Sequence, residues 1–174
     1  MSRPAFRPPM LARLVTEAPP GPGWVFERKL DGLRCIAVRH GDRAELWSRS
    51  QQSFNRRFAG IADAVARLPA ADLVLDGEIV AMDGDRTSFS LLQRPGSTAT
   101  PILCVFDILH RDGHDLSARP LRERQEILAA VVGERGIVRR VGHLEGDPHV
   151  LLRRACHAGW EGLIAKRADA PYRS

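Results

Sequence analysis

Nine residues, Phe26-Glu27-Arg28-Lys29-Leu30-Asp31-Gly32-Leu33-Arg34, set one lysine among two acids and two arginines, beside a glycine. A lysine is a nucleophile only as the neutral amine, so burial or nearby positive charge must lower its pKa from about 10.4. Arg28 and Arg34 are placed to supply that charge. Glu27 and Asp31 would oppose it, which suggests that their carboxylates serve a metal ion, a hydroxyl or a base edge. A strand end with solvated charges and a turn at Asp31-Gly32 is the alternative this stretch leaves open. Further along, Arg49, Asp76, Glu78, Asp107, Glu161 and Lys166 fall at or within strand-like segments. Together the set suits chemistry on a phosphate held by a divalent ion: carboxylates hold the hard metal, cations stabilise phosphoryl oxygens, and one neutral amine attacks phosphorus. Neither a Ser-His-Asp or Cys-His arrangement nor a glycine-rich phosphate or dinucleotide motif competes.

The elements that must position these groups follow from periodicity. Residues 1–23 carry Pro4, Pro8, Pro9, Pro19, Pro20 and Pro22 with Gly21 and Gly23, which predicts an extended arm. Trp24-Val25-Phe26 is β-prone and delivers Lys29 to a strand end. Strands over 34–40 and 44–48 join through a tight turn at Gly41-Asp42. Phe54, Phe58, Ile61, Val65 and Leu68 form one helical stripe, with Ser53 as the predicted N-cap and Pro69 as the stop. Residues 73–82 read as a strand in which Gly77 marks a bulge or close backbone approach. After a turn at 83–85 and a short helix over 88–93, the apolar strand 102–109 carries Asp107, an acid that is either paired in the core or functional. Helices over 121–132 and 148–158 follow, the second capped by Asp147, opened by Pro148 and stopped by Gly159. A last strand spans 160–166. Hairpins with intervening helices make the fold class α+β.

Composition narrows the function. The chain has 174 residues, enough for one well-packed domain that buries about 70% of its unfolded surface. Apolar residues are 44% and charged residues 27%, a globular rather than disordered balance. Twenty-six basic against 21 acidic residues give a net charge of +5, which favours polyanionic partners such as nucleic acid. Cys35, Cys104 and Cys156 are far apart and read as buried free thiols in a reducing compartment, and His110-x-x-x-His114 falls in a turn-rich stretch rather than on a helix, so no zinc site is expected. No apolar run approaches a membrane span, and the expected location is cytoplasmic.

The ordered series of motifs resembles the adenylation domain of ATP-dependent DNA ligases, in the superfamily that also holds RNA ligases and mRNA capping enzymes. It looks most like the ligase module of bacterial end-joining ligases, over roughly residues 8–174. The resemblance implies antiparallel sheets flanked by helices, with the nucleotide site between them. Lys29-Leu30-Asp31-Gly32 matches the Lys-x-Asp-Gly motif, which implies that Lys29 attacks the α-phosphate of ATP and carries AMP. Glu27 matches the residue beside the adenine and Arg34 the arginine on the ribose. Ser48-Arg49 implies that Arg49 reaches the phosphates or the nicked strand. Asp76-Gly77-Glu78 implies a ribose and metal contact from Glu78, and Phe106-Asp107 implies stacking of Phe106 on the base. Glu161-Gly162-Leu163-Ile164-Ala165-Lys166 implies metal binding by Glu161 and an ATP contact from Lys166. Asp31, Gly32, Asp76 and Asp107 are support, as are Phe89-x-x-x-Gln93 and Pro120-Leu121-x-x-Arg124.

The implied cofactors are ATP and Mg²⁺ or Mn²⁺, and the implied partner is DNA, nicked or broken, with a separate OB-fold or end-joining protein beside a monomer. The implied role is strand sealing in DNA repair. The chain departs from the family at Ser50-Gln51-Gln52-Ser53, where a glycine and an acid are usual. Tyr172-Arg173-Ser174 matches text that precedes a Lys-x-Lys motif and an OB-fold domain, so the expected layout is an arm over 1–23 and an adenylation domain over 24–174 lacking its end. Two other readings share the pattern: a non-catalytic nucleotide or DNA-end binding module, and an RNA ligase or capping-type transferase.

Overall fold

A computed structural model describes residues 3–19, 21–94 and 98–174. Its centre is a six-stranded sheet in the order β3 (Arg43–Ser48), β2 (Leu33–His40), β4 (Asp72–Val80), β7 (Ile102–Arg111) and β8 (His114–Asp115), with β9 (Val138–Arg140) parallel to β7. A second, two-stranded sheet pairs β1 (Trp24–Arg28) antiparallel with β10 (Leu163–Arg167), and a small hairpin joins β5 (Met82–Asp83) to β6 (Arg86–Thr87). The helices are α1 (Ala59–Ala66), α2 (Phe89–Gln93), α3 (Leu121–Ala129) and α4 (Pro148–His157).

Period-2 alternation on β2 explains why the central sheet is covered on both faces. Cys35 and Ala37 face the larger core, with Phe58, Ile61 and Val65 at α1 and Leu128, Val131 and Val132 at and beyond the end of α3. Ile36 and Val38 face the other way, onto Val74, Leu109, Tyr172 and Phe6. Each fully buried Leu or Ile here contributes about 1.5–3 kcal/mol. The Gly41 turn has φ +58, the left-handed geometry of a tight hairpin. Gly77 is a close approach: a Cβ there would lie 2.7 Å from the Cys104 carbonyl oxygen, and the β4–β7 register shifts between Asp76 and Gly77.

Three expectations are corrected. The helix predicted from Phe54 with Ser53 as cap starts at Ala59 behind Phe58, with no side-chain cap. Asn55 is the reason: its side chain accepts from the Leu46 amide and donates to the Ala44 carbonyl, both at 2.7 Å, and binds that segment to β3. The last strand begins at Leu163 because Trp160-Glu161-Gly162 bends first, with Gly162 at φ +149. Cys156 is exposed, on the outer face of α4 that periodicity could not tell from the inner one. Cys35 and Cys104 are buried, and burial pushes the Cys35 thiol up to about 12.

Candidate active site

The two sheets and the N-terminal arm enclose a cavity of about 600 Å³. Its lining includes Glu27, Lys29, Asp31, Gly32, Arg34, Arg49, Asp76, Glu78, Phe106, Asp107, Glu161 and Lys166, with Leu121 and Arg124 of the supporting text, whereas Phe89, Gln93 and Pro120 are not part of it. Residues separated by more than a hundred positions meet because β1 and β10 pair and because β2, β4 and β7 lie side by side.

Lys29 leaves the end of β1, where its amide donates to the Gly162 carbonyl at 2.9 Å. Its ammonium pairs with Glu161, and both side chains are 42% exposed. Neither arginine of the opening stretch is turned to Lys29, contrary to expectation. Arg28 lies over the Trp160 ring, 4.8 Å from its centroid, and donates to the Asp85 carbonyl at 2.7 Å. Arg34 is taken by Asp76. The acids of that stretch are engaged elsewhere too. Asp31 accepts from the Phe89 amide at 3.1 Å and so holds the start of α2, while its own amide donates to Thr87 Oγ1 at 3.0 Å. Glu27, only 2% exposed, pairs through Oε2 with Lys166 Nζ at 2.6 Å. Its Oε1 lies 3.3 Å from His143 Nε2, an ion-pair distance without hydrogen-bond geometry.

Gly32 cannot be another residue without rebuilding the site. A Cβ would fall 2.2 Å from the Ile79 carbonyl oxygen and 3.0 Å from Glu78 Cγ. The missing side chain lets the Lys29 turn press against β4.

On the central sheet, Asp76 and Asp107 are direct partners across β4 and β7, both buried. Like charges opposite one another destabilise a sheet unless each is answered. Arg34 answers Asp76 with a fork, Nε to Oδ1 at 2.6 Å and Nη2 to Oδ2 at 2.7 Å. Arg124 answers Asp107 the same way at 2.7 and 2.9 Å. Burial would lower the Arg34 pKa, but the Asp76 bonds and charge outweigh it and hold it above the ordinary value. Burial raises Asp107, and the Arg124 fork resists the shift.

Phe106 is half-buried, its carbonyl held by Gln125 Nε2 at 2.6 Å. Arg34 Cζ and Lys166 Nζ stand 4.7 and 4.5 Å from its ring centroid, within cation–π reach. Glu78 has no salt bridge among the described residues, and burial first, then the charges of Asp76 and Asp31, push its carboxyl up to about 7. Arg49 is exposed at the rim, on a turn where Gln51 takes φ +57 and donates its amide to the Ser48 carbonyl at 2.9 Å. The departure at Gln51 therefore keeps a left-handed position that glycine fills at lower cost.

Three participants were not singled out from sequence. Tyr172, the chain's one tyrosine, donates to Asp76 Oδ2 at 2.7 Å. His143 arrives beside Glu27 because the Leu144 amide donates to the Phe26 carbonyl at 2.8 Å. Gln125 sits one residue after Arg124. Arg124 itself shares a helical face with Leu121 and Leu128, and a charge on an apolar stripe is the signal that marks it.

A cavity lined by two lysines, arginines and carboxylates, set between paired antiparallel sheets, defines a class, and comparison with known proteins gives the family. The model of the ATP dependent DNA ligase domain matches residues 9–174, and the chain belongs to that family. It is 35% identical over 154 residues to a probable DNA ligase of Beutenbergia cavernae, covering 83% of this chain and 30% of that protein. It is 35% identical over 172 residues to the multifunctional non-homologous end joining protein LigD of Pseudomonas aeruginosa, covering 95% of this chain and 20% of that one. Among solved structures, a mycobacterial DNA ligase D complexed with ATP and MES superposes with a TM-score of 0.74 at 28% identity, over 86% of this chain and 50% of that chain. The chain thus spans a third or less of these two curated relatives.

Proposed function

We propose that this domain binds ATP in the cavity, forms a covalent lysyl-AMP at Lys29, and passes the AMP to a 5′-phosphate of nicked or broken DNA in strand-sealing repair. One observation carries the reading: the chain has only two lysines, Lys29 and Lys166, and both line the same cavity. Arginine stays protonated and cannot serve as the amine nucleophile. Lys166 is bound to buried Glu27 and lies against Phe106, whereas Lys29 makes a single partly exposed ion pair at a strand end.

The neutral Nζ of Lys29 attacks the α-phosphorus, the N–P bond forms, and the bond to the bridging oxygen breaks as pyrophosphate leaves with the electron pair. The lost Nζ proton goes to a neighbouring base or water; Glu161 stands at hydrogen-bonding range to take it. Arg34 and Glu78 serve the ribose, Phe106 stacks on the base beside Glu27, and Arg49 reaches phosphate or DNA at the rim. Asp31, Gly32, Asp76 and Asp107 shape the wall. No cluster of three or more metal-ligating side chains occurs among the described residues, so a divalent ion would need phosphate oxygens to complete its shell. That fits Mg²⁺, which is usually held by one or two carboxylates and substrate phosphates. Glu78 and Glu161 are the carboxylates for it, and it would screen the charge that develops on the phosphoryl oxygens.

The test is incubation with α-labelled ATP and Mg²⁺, then denaturation. Label that stays on protein, is released by acid and is absent from Lys29→Ala supports the reading. ATP binding without label leaves a binding module in place of an enzyme, and label from GTP moves the assignment to a capping-type transferase. Transfer of the AMP to a nicked DNA duplex rather than to RNA tests the substrate.

A further inference from the structure

Met10, Leu11 and Ala12 of the N-terminal arm line the same cavity as Lys29. They are fastened there by a closed ring of hydrogen bonds among four residues far apart in sequence. The Met10 amide donates to Tyr172 Oη at 2.7 Å, and the Tyr172 hydroxyl donates to Asp76 Oδ2 at 2.7 Å. Asp76 takes the Arg34 fork, and Arg34 Nη2 donates to the Met10 carbonyl at 2.9 Å. Both backbone groups of Met10 are therefore committed, and both routes run to Asp76 Oδ2, one through the Tyr172 hydroxyl and one through Arg34 Nη2.

The fastening weakens along the chain. Before Met10, Pro4 and Pro9 are buried, Phe6 packs on the core, and Arg7 bonds Asp115 at 2.7 Å and Ser117 at 2.6 Å. Exposure then rises from 42% at Met10 and 58% at Leu11, both on the cavity lining, to 102% at Leu14, which is not part of it. Among residues 3–19 of the arm, the hydrogen bonds thus end at Met10, and Leu11 and Ala12 follow it onto the cavity lining. Burial and the Asp76 charge both raise the Tyr172 pKa, so the phenol stays a donor at ordinary pH.

We propose that Tyr172 is a positioning residue that latches residues 10–12 as a wall of the nucleotide cavity, so that the arm contributes to nucleotide affinity and not only to folding. The affinity half rests on the reading of the cavity as an ATP site; the latch half does not. Losing the hydroxyl in Tyr172→Phe removes the acceptor of the Met10 amide and one donor to Asp76, while the Arg34 fork remains.

The experiment uses the full chain and two readouts. Without nucleotide, amide exchange at Met10 should quicken about tenfold in Tyr172→Phe, the ratio that goes with one ordinary hydrogen bond. ATP affinity should weaken by a similar factor of about ten, with the labelling rate at saturating ATP within about twofold of wild type. A second pair of variants guards against a folding artefact. Leu11→Asp puts a charge on the wall and should weaken ATP binding, whereas Leu14→Asp, three residues on, should not. Unchanged Met10 exchange in Tyr172→Phe overturns the latch. Faster exchange with unchanged ATP affinity, or equal effects of Leu11→Asp and Leu14→Asp, overturns the wall. A wild-type chain that binds no ATP defeats the cavity reading and the wall with it, while the exchange comparison still decides the latch.

Discussion

The two sheets that line the cavity hold their charges in different ways. On the six-stranded sheet, Asp76 and Asp107 are buried and each is gripped by a two-pronged arginine. On the β1–β10 pair, Lys29 and Glu161 meet singly and stand 42% exposed. A buried carboxylate in a fork cannot lose its partner without leaving an unanswered charge in low dielectric. An exposed single pair opens at little cost, because water replaces what is lost. The first arrangement suits a wall that must not move, and the second suits groups that exchange partners, as the proposed reaction at Lys29 requires. Glu27 with Lys166 lies between the extremes, buried at one end and lining the cavity at the other.

The largest loss of stability should come from the rigid side. Arg124→Ala leaves Asp107 buried and unpaired opposite Asp76 and should cost about 3–5 kcal/mol, read by urea unfolding. Asp107→Asn together with Arg124→Met should recover a large part of that loss, because the buried charges go together. Gly32→Ala should come next, at about 1–3 kcal/mol for overpacking against the Ile79 carbonyl, with a matching drop in ATP binding as the Lys29 turn is displaced. A wild-type-like Gly32→Ala would contradict the close approach of that turn to β4.

Glu78 sharpens the contrast through pH. Its folded pKa of about 7 lies above the unfolded value of 4.5, so the folded state binds this proton more tightly. Its contribution to stability is complete below about pH 4.5 and is lost as pH rises through about 7. Glu78→Gln should therefore flatten that decline and raise Tm at pH 8, while weakening divalent-ion dependence of nucleotide binding. An unchanged pH profile in Glu78→Gln would show that the carboxyl is not held protonated by its surroundings. The smallest effect should come at Gln51, where glycine at φ +57 stabilises by about 0.5–1 kcal/mol on thermal unfolding.

Much of this was legible before any coordinates. Period-2 and helical stripes placed β2, β3, β4, β7, α3 and α4 within a few residues, because both faces of the sheet are buried and the pattern has to persist; β8 and β9, two and three residues long, are too short to show a period. The start of α1 was not legible: Ser53 looks like a cap, but Asn55 bonds across to β3, a tertiary contact that local spacing does not encode. The candidate residues could be named from their order in the chain. Their pairings could not, since Arg28 and Arg34 look equally suited to flank Lys29 until Trp160 and Asp76 are seen to take them. Tyr172 stands in text that resembles the family's, but nothing local signals its bond to Asp76, 96 residues away.

The central claim is that Lys29, and not Lys166, is the nucleophile. With only two lysines in the chain, the most direct measurement is to react the protein with ATP and Mg²⁺ and map the modified peptide by mass spectrometry. The account predicts one AMP per chain, on the peptide containing Lys29, retained in Lys166→Ala and lost in Lys29→Ala. AMP on the Lys166 peptide, or label that persists in Lys29→Ala, would contradict it.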